Sequence, residues 1–208
     1  MTETRRVICW RHGQTDWNVE NRFQGQLDIP LNKTGIAQAE RAAQLLALLR
    51  PDAIIASDLR RASDTAHALA RITGLTVTHD PALRERFGGP WEGLSRAEIA
   101  AGWPEQLPTM DIPGGEDMPT VGARVAEAIE RGLEKVPEGG TLVVASHGAA
   151  LRAGIHTMLG LPPDQLEALG SLSNCSWSVL GPRRLGGWRL LEHNAGTLPE
   201  DKVLGDDR

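Results

Sequence analysis

The sequence predicts an α/β fold, a three-layer sandwich whose mostly parallel sheet has helices on both faces. The first observation is a set of short apolar runs at 7–9, 53–56 and 141–146, each of a length typical of one buried strand. The second is that a segment with helical spacing of its apolar residues follows each run along the chain. Strands that alternate with helices in this way are typical of a parallel sheet covered on both sides.

Helix signals define the elements of the first half of the chain. Thr34 or Asn32 is the expected N-cap of a helix that runs to about Leu49 and ends before Pro51. A second helix is predicted at 60–72. Gly74 stops it, because glycine readily adopts the left-handed conformation found at helix ends. A short strand follows at 75–79.

The second half begins with a loop-rich insertion at about 95–119, which contains one short helix and is expected to lie over the active edge of the sheet. An amphipathic helix is predicted from 120 to about 135. Residues 149–155 have helical character, and the alternating segments after them indicate a β-hairpin. The predicted hairpin strands are 175–180 and 188–191, a flexible acidic tail is predicted at about 199–208, and a single domain is expected over 1–208.

Composition limits the partners of the protein. The chain has 208 residues and a formal net charge of −5, which argues against a nucleic-acid-binding surface. No apolar run approaches the length of a membrane span, and the first residues lack the apolar core of a signal peptide. We therefore expect a cytoplasmic protein that has no nucleic-acid or membrane partners and forms a homodimer. Cys9 and Cys175 are expected to be buried thiols.

Cationic and imidazole side chains follow three of the predicted strands. Arg11 and His12 end the first, Arg60 and Arg61 follow the second, and His147 follows the third. The carboxyl ends of parallel strands meet at one edge of the sheet, where ligands bind. Guanidinium groups match phosphate oxygens bidentately. The glycine after each histidine is expected to let the backbone approach a ligand. The pattern therefore predicts a site for a phosphorylated ligand.

These residues resemble the signature motifs of the histidine phosphatase superfamily, also called the phosphoglycerate mutase-like family. Four motifs occur in the family's order, at 11–25, 57–66, 83–94 and 146–148. The departures are small. Gly89-Pro90 replaces an acidic residue that often precedes the tryptophan, and Arg86 stands where an apolar residue is common. The C-terminal segments 173–177 and 188–190 resemble bacterial phosphatase members, including those that act on glucosyl-3-phosphoglycerate.

A neutral imidazole can attack phosphorus and divide one displacement into two through a phosphohistidine. His12 fits this role, and the resemblance implies it as well. The family's site arginine directly precedes the alanine, which favours Arg61 over Arg60. Fixed cations stabilise charge on the equatorial phosphate oxygens. The residues expected to bind phosphate or substrate are Arg11, Asn18, Gln24, Gly25, Arg61, His147 and Gly148.

The leaving alkoxide needs a proton from a general acid. The resemblance places this acid at Glu85, and Glu92 is expected to be a structural or solvated carboxylate. Four other histidines are expected to have surface or structural roles. No Cys or His pair has the spacing of a zinc site, so no metal and no cofactor are predicted. These four histidines are His67, His79, His156 and His193.

The motifs fit a metal-independent phosphatase that acts on a small sugar or glycerate phosphate. The alternative is a cofactor-dependent phosphoglycerate mutase. Such mutases are typically longer, with further basic residues in the insertion, whereas between Gly93 and Thr120 only Arg96 is basic here. A remote alternative is a non-catalytic module that binds a phosphorylated ligand. The presence of the predicted nucleophile and acid argues against it.

Overall fold

The computed structural model describes residues 4–196, so the predicted tail at 199–208 lies outside the described residues. One six-stranded sheet has the order β3-β2-β4-β1-β5-β6. β1 through β4 are parallel, whereas β5 is antiparallel to both β1 and β6. This arrangement confirms the predicted α/β class and the hairpin. The strands are β1 (Arg6–Arg11), β2 (Ala53–Ala56), β3 (Val77–His79), β4 (Thr141–Ser146), β5 (Trp177–Pro182) and β6 (Trp188–Ala195).

Helices connect the parallel strands and cover the sheet. None of those in the described residues is long and apolar enough to cross a membrane. Short 3-10 turns occupy Pro81–Leu83, Gly89–Trp91 and Pro163–Ala168. The α-helices are α1 (Asp16–Val19), α2 (Lys33–Leu48), α3 (Arg60–Thr73), α4 (Arg96–Gly102), α5 (Met118–Leu133) and α6 (Gly148–Leu159).

Both faces of the sheet are buried, which explains why its central strands are continuous apolar runs. Along β1, Val7 and Cys9 face a core that includes residues of α5 and α6. Ile8 and Trp10 point the other way, into a core that includes residues of α2 and α3. This alternation follows from the two-residue period of a strand. It produces the three predicted layers.

Capping side chains set the helix boundaries. Asn32, one of the two expected caps, begins α2 by accepting a hydrogen bond from the Gly35 amide. Gly74 ends α3 in the left-handed conformation, as predicted. α5 begins two residues before the predicted start, because the Asp117 side chain caps it and accepts from the Thr120 amide at 2.7 Å.

The carboxyl ends of β1, β2 and β4 lie side by side, as their register shows. Arg11 pairs with Ser146 at the end of β1, and Ala56 pairs with Ala145 at the end of β2. His12, Ser57 and the N-terminal turns of α3 and α6 therefore follow directly from one edge. A cavity of about 420 Å³ lies at this edge, within the size range of small-molecule sites.

Candidate active site

His12 lies in the wall of this cavity and is almost fully buried. Its Nδ1 is 2.7 Å from the carbonyl oxygen of Gly13. A carbonyl only accepts hydrogen bonds, so Nδ1 holds the proton and the lone pair is on Nε2. The backbone of His12 is fixed as well, since its amide donates to Ser146 on β4 and its carbonyl accepts from Cys175. His12 is therefore held in the tautomer that suits attack by Nε2.

His147 packs against His12 with ring centroids 5.2 Å apart in an edge-to-face arrangement. Nε of Arg61 donates to Nδ1 of His147 at 3.2 Å. Because Nδ1 accepts this hydrogen bond, the proton of the neutral ring is on Nε2, which lies 2.9 Å from Oγ of Ser57. The second motif thus fixes the histidine of the fourth motif.

Arg61 is fully buried although it lines the cavity. Its two terminal nitrogens donate to the carbonyl oxygens of Leu27 and Gly25, each at 2.7 Å. Each of the three guanidinium nitrogens of Arg61 therefore donates to a protein atom, which fixes the orientation of the group. Such preorganisation lets the positive charge act on a phosphoryl group without reorientation of the side chain during reaction.

The environment of His12 keeps its imidazole neutral. Burial lowers its pKa well below the usual range, and the charges of Arg61 and Arg11 lower this pKa further. The pKa of His147 is also lowered, again first by burial and then by Arg61 and His12. A neutral imidazole has a lone pair available to attack phosphorus, so the direction of the His12 shift suits a nucleophile.

Arg11, His147 and Gly148 are near the cavity without being among the residues that line it. Arg11 is fully buried, and its Nη1 donates to the carbonyl oxygen of Leu172 at 2.5 Å. Gly148 begins α6, and the next residue, Ala149, lines the cavity. These three predicted residues thus adjoin the wall in this structure, whereas His12, Asn18, Gln24, Gly25, Arg61 and Glu85 form part of it.

A local capping network orients the neutral donors. The amide of Thr15 donates to Oδ1 of Asn18 at 3.0 Å, and the Thr15 hydroxyl lies 3.1 Å from Oε1 of Gln24. Since both side-chain oxygens have protein partners, the amide nitrogens of Asn18 and Gln24 are the groups left to donate to a ligand. Both residues line the cavity, and their contact with the phosphate remains a prediction.

Glu85 is buried, and its carboxylate lies at the N-terminus of α6. Oε1 accepts from the amides of Arg86 at 2.8 Å and Ala150 at 2.9 Å, and Oε2 lies 3.2 Å from the amide nitrogen of Ala149. Helix N-termini favour negative charge because their first amides have no partner within the helix. The helix that follows His147 thus also holds the predicted acid of the third motif.

An ion pair between Arg124 and Glu116 holds the backbone around Glu85. Nη1 of Arg124 donates to the carbonyls of Ala82 and Arg84, each at 2.7 Å, and Nη2 donates to that of Glu85 at 3.1 Å. Its Nε and Nη2 also donate to the two carboxylate oxygens of Glu116, each at 2.8 Å. We call this pair the Arg124–Glu116 clamp. Sequence reasoning missed it because α5 is about 40 residues from Glu85.

Glu92 has the structural role that the sequence favoured. Its Oε1 accepts from the amides of Gln26 at 2.8 Å and Gly88 at 3.0 Å. It also explains why glycine is needed at 25, where φ is +49° and an added Cβ would lie 2.1 Å from Oε1 of Glu92. Glycine is needed at position 13 for a different reason from the expected one. A Cβ on Gly13 would collide with the Gly35 carbonyl, so the missing side chain makes room for the backbone and not for a ligand.

All four of the other histidines have structural contacts, and Nδ1 of His67 lies 2.8 Å from the Ser63 carbonyl oxygen. Nε2 of His156 lies 2.8 Å from the Pro162 carbonyl, and His193 contacts Ser178 and the Gly170 carbonyl. His79 contacts Ser63 on the surface. Across residues 4–196, no group of three or more His, Cys, Asp or Glu side chains is arranged to hold a metal ion. The predicted independence from metals remains a prediction for an assay.

The predicted insertion forms part of the cavity wall and shares a small apolar core with the third motif. Trp91, Ile99 and Ile112 are buried together, with Trp103 packed against them. Trp17 and Trp91 line the cavity. The wall also contains five arginines and four carboxylates, namely Arg22, Arg61, Arg86, Arg96, Arg152, Glu85, Asp111, Asp117 and Glu167.

Sequence reasoning did not assign ligand contacts to Arg22, Arg86 or Arg152. Arg152 follows Ala149 by three residues on α6, so both lie on one face of the helix. Because α6 directly follows the strand that leads to His147, this spacing could have pointed to Arg152 from the sequence alone. Arg86 was visible only as a departure from the family pattern. Arg22 comes from a turn after α1, and nothing in its local sequence points to the cavity.

The chain is similar to known proteins over most of its length. Glucosyl-3-phosphoglycerate phosphatase from Mycobacterium tuberculosis is 38% identical over 221 residues, covering 96% of this chain and 99% of that protein. A probable phosphoglycerate mutase, GpmB, from Salmonella newport is 41% identical over 179 residues, covering 83% of this chain and 82% of that protein.

A solved mycobacterial glucosyl-3-phosphoglycerate phosphatase in complex with VO3 is similar in structure, with a TM-score of 0.86 and 40% identity. The match covers 92% of this chain and 100% of that one. The profile of the histidine phosphatase superfamily (branch 1) matches residues 7–196, which include all four motifs and the cavity. The chain therefore belongs to the histidine phosphatase superfamily, branch 1.

Proposed function

We propose that this protein is a phosphatase that hydrolyses a small phosphorylated metabolite of the sugar or glycerate type through a phosphohistidine at His12. The observation that supports this most directly is the orientation of His12. Its Nδ1 proton is held by the Gly13 carbonyl, and its ring lies in the cavity wall beside Arg61. The relatives that are glucosyl-3-phosphoglycerate phosphatases support the same reaction and a substrate of this type.

In the first step, Nε2 of His12 forms a bond to phosphorus while the bond from phosphorus to the ester oxygen breaks. Arg61, with Arg11 beside it, stabilises the charge on the equatorial oxygens. The departing alkoxide takes a proton from the Glu85 carboxyl and leaves as an alcohol. Glu85 is held near this position by the amides of α6 and by the Arg124–Glu116 clamp.

In the second step, water attacks the phosphohistidine. Glu85, now a carboxylate, accepts a proton from the water as the new oxygen–phosphorus bond forms. The bond from phosphorus to Nε2 breaks and returns the lone pair to His12. Inorganic phosphate is released, and the protonated Glu85 begins the next cycle. Each proton taken from Glu85 is thus replaced from water.

One assay separates this proposal from its alternatives. The protein is incubated with p-nitrophenyl phosphate, and separately with 3-phosphoglycerate plus 2,3-bisphosphoglycerate. Phosphate release in both reactions supports a phosphatase. Isomerisation to 2-phosphoglycerate without net phosphate release indicates a mutase. Binding of the phosphorylated compounds without either reaction indicates a binding module.

We also propose that the protein is cytoplasmic and forms a homodimer. Cys9 and Cys175 are buried and form no disulfide within residues 4–196, which fits a reducing compartment, and burial raises the pKa of the Cys9 thiol to about 12. The exposed leucines at the end of α2 support a self-association surface, since Leu48 is 76% exposed next to Leu45 and Leu49. Light scattering coupled to size-exclusion chromatography tests the dimer, which a Leu48→Glu variant would weaken.

A further inference from the structure

Arg86 is a buried cation in the wall of the catalytic cavity. Its side chain is 6% exposed, and it follows Glu85 directly in the chain. In the sequence it stands where the family commonly has an apolar residue. Burial of a guanidinium costs free energy unless its charge is balanced by a partner. The nature of that partner is therefore informative about the ligand.

The protein supplies only neutral partners to this guanidinium. Nε of Arg86 donates to the carbonyl of Glu116 at 2.6 Å, and Nη2 donates to that of Met110 at 2.9 Å. Within residues 4–196, no carboxylate oxygen lies in ion-pair distance of Arg86, and Nη1 has no hydrogen-bond partner. The surrounding acidic residues act on it only from farther away, and they are Glu85, Asp111, Glu116 and Asp117.

The two carbonyls also fix the direction of the side chain. They hold Nε and Nη2 on the side of the insertion, so Nη1 remains for a ligand in the cavity that Arg86 lines. Burial lowers the pKa of Arg86, which reflects the cost of keeping its charge out of water. An anionic ligand group at Nη1 would offset this cost and form a charge-assisted hydrogen bond.

We propose that Arg86 is a specificity-determining residue that binds a carboxylate of the substrate, separate from the phosphate that binds near His12 and Arg61. This inference rests on the proposed phosphatase function and deepens it. The substrate class is a small phosphate monoester with a carboxylate on its alcohol portion. Because Arg86 adjoins Glu85, the carboxylate lies on the side of the leaving oxygen that Glu85 protonates.

The first test uses the wild-type protein and two substrates that differ in one group. 3-Phosphoglycerate and glycerol 3-phosphate have the same carbon count, but a hydroxymethyl group replaces the carboxylate in the second. We expect a kcat/KM for 3-phosphoglycerate that is about 10- to 150-fold higher, the range expected for one hydrogen bond to a charged group. The methyl ester of 3-phosphoglycerate removes the charge and keeps the carbonyl, so its kcat/KM should fall to that of glycerol 3-phosphate.

The second test uses Arg86→Gln with Arg96→Gln as a matched control, because Arg96 is an exposed arginine of the same cavity. Arg86→Gln should remove the preference for 3-phosphoglycerate while hydrolysis of glycerol 3-phosphate changes by less than about threefold. Arg96→Gln should retain the preference. Thermal melting and p-nitrophenyl phosphate turnover show whether the variants are folded, and Arg86→Lys should recover part of the preference.

The outcomes are distinguishable. Equal wild-type kcat/KM for the two substrates overturns the carboxylate site and leaves the phosphatase function standing. If Arg86→Gln lowers kcat/KM equally for both substrates, Arg86 only holds the insertion, and this result also overturns the inference. Failure of the wild-type protein to release phosphate from any of the substrates, p-nitrophenyl phosphate included, overturns the proposed function and this inference with it.

Discussion

The Glu85 carboxylate accepts a hydrogen bond from the Ala150 amide at 2.9 Å, which places it at the start of the helix that follows His147. This contact joins the third motif to the fourth, although the two are about 60 residues apart in sequence. The proposed proton donor and the histidine that packs against the nucleophile are thus held by one rigid element. A carboxyl group at this place can act on the leaving oxygen only if its loop stays fixed.

We predict that Glu85→Gln slows hydrolysis according to the leaving group. Alkyl phosphates need a proton on the departing oxygen, so their kcat should fall by about 10²–10⁴-fold. p-Nitrophenolate leaves without a proton, so the kcat for p-nitrophenyl phosphate should fall much less. Steady-state kinetics on both substrates measure the difference. Glu92→Gln is the matched control, and if it shows the leaving-group dependence instead, Glu92 is the acid.

We predict that removing the Arg124–Glu116 clamp also slows hydrolysis according to the leaving group, with smaller losses of turnover than Glu85→Gln. Arg124→Met removes the donors that hold the carbonyls of Ala82, Arg84 and Glu85. Alkyl phosphate turnover should fall by about 10- to 100-fold, because small displacements of a catalytic group are costly, with a smaller loss on p-nitrophenyl phosphate.

The control for the clamp is Arg131→Met, which removes an exposed ion pair with Asp80 from the same helix, α5. Exposed pairs contribute little to stability, so this variant should behave as wild type. If Arg124→Met lowered the turnover of both substrates equally, the clamp would have a general structural role and no specific link to the proton donor.

Much of this arrangement was predictable from the sequence. The apolar runs before Arg11 and His147 indicated buried parallel strands, and parallel strands bring their carboxyl ends together. The clamp was not predictable, because the local sequence shows Arg124 only as one polar residue of an amphipathic helix. α1 was also missed, because four residues are too few for a helical period. The burial of Arg11 against the Leu172 carbonyl depends on packing that no local pattern encodes.

Protonation of the buried histidines gives a predicted pH dependence of stability. The pKa of both His12 and His147 is lowered in the folded state, so below about pH 6.5 the unfolded chain binds more protons. The stability that comes from burying neutral rings is present above this pH and is lost as pH falls. Each ring contributes up to about 1.4 kcal/mol per pH unit to the slope.

Chemical denaturation between pH 5 and 6.5 measures this slope. His12→Gln should reduce it, and His67→Gln, at an exposed position of α3, should leave it unchanged. A wild-type unfolding free energy that is flat over this range would contradict the burial of neutral histidines. The acid limb of kcat/KM for p-nitrophenyl phosphate should likewise lie well below pH 6.5, because His12 attacks as the neutral ring.

We predict that activity does not depend on a metal ion. Guanidinium groups can stabilise the equatorial oxygens without a metal clamp. Phosphate release should therefore be unchanged after dialysis against EDTA, and vanadate should inhibit because it resembles the trigonal bipyramidal phosphoryl centre. Loss of activity in EDTA with recovery on addition of zinc or magnesium would show that a metal takes part.

The central claim is that His12 forms the covalent intermediate, and rapid-quench labelling with a radiolabelled phosphate monoester tests it most directly. The wild-type protein should acquire a label that is labile in acid and stable in base, as expected for phosphohistidine. His12→Ala should take up no label and retain less than about one per cent of the activity, whereas His67→Ala should label normally. An acid-stable label, or a label that persists in His12→Ala, would contradict the account.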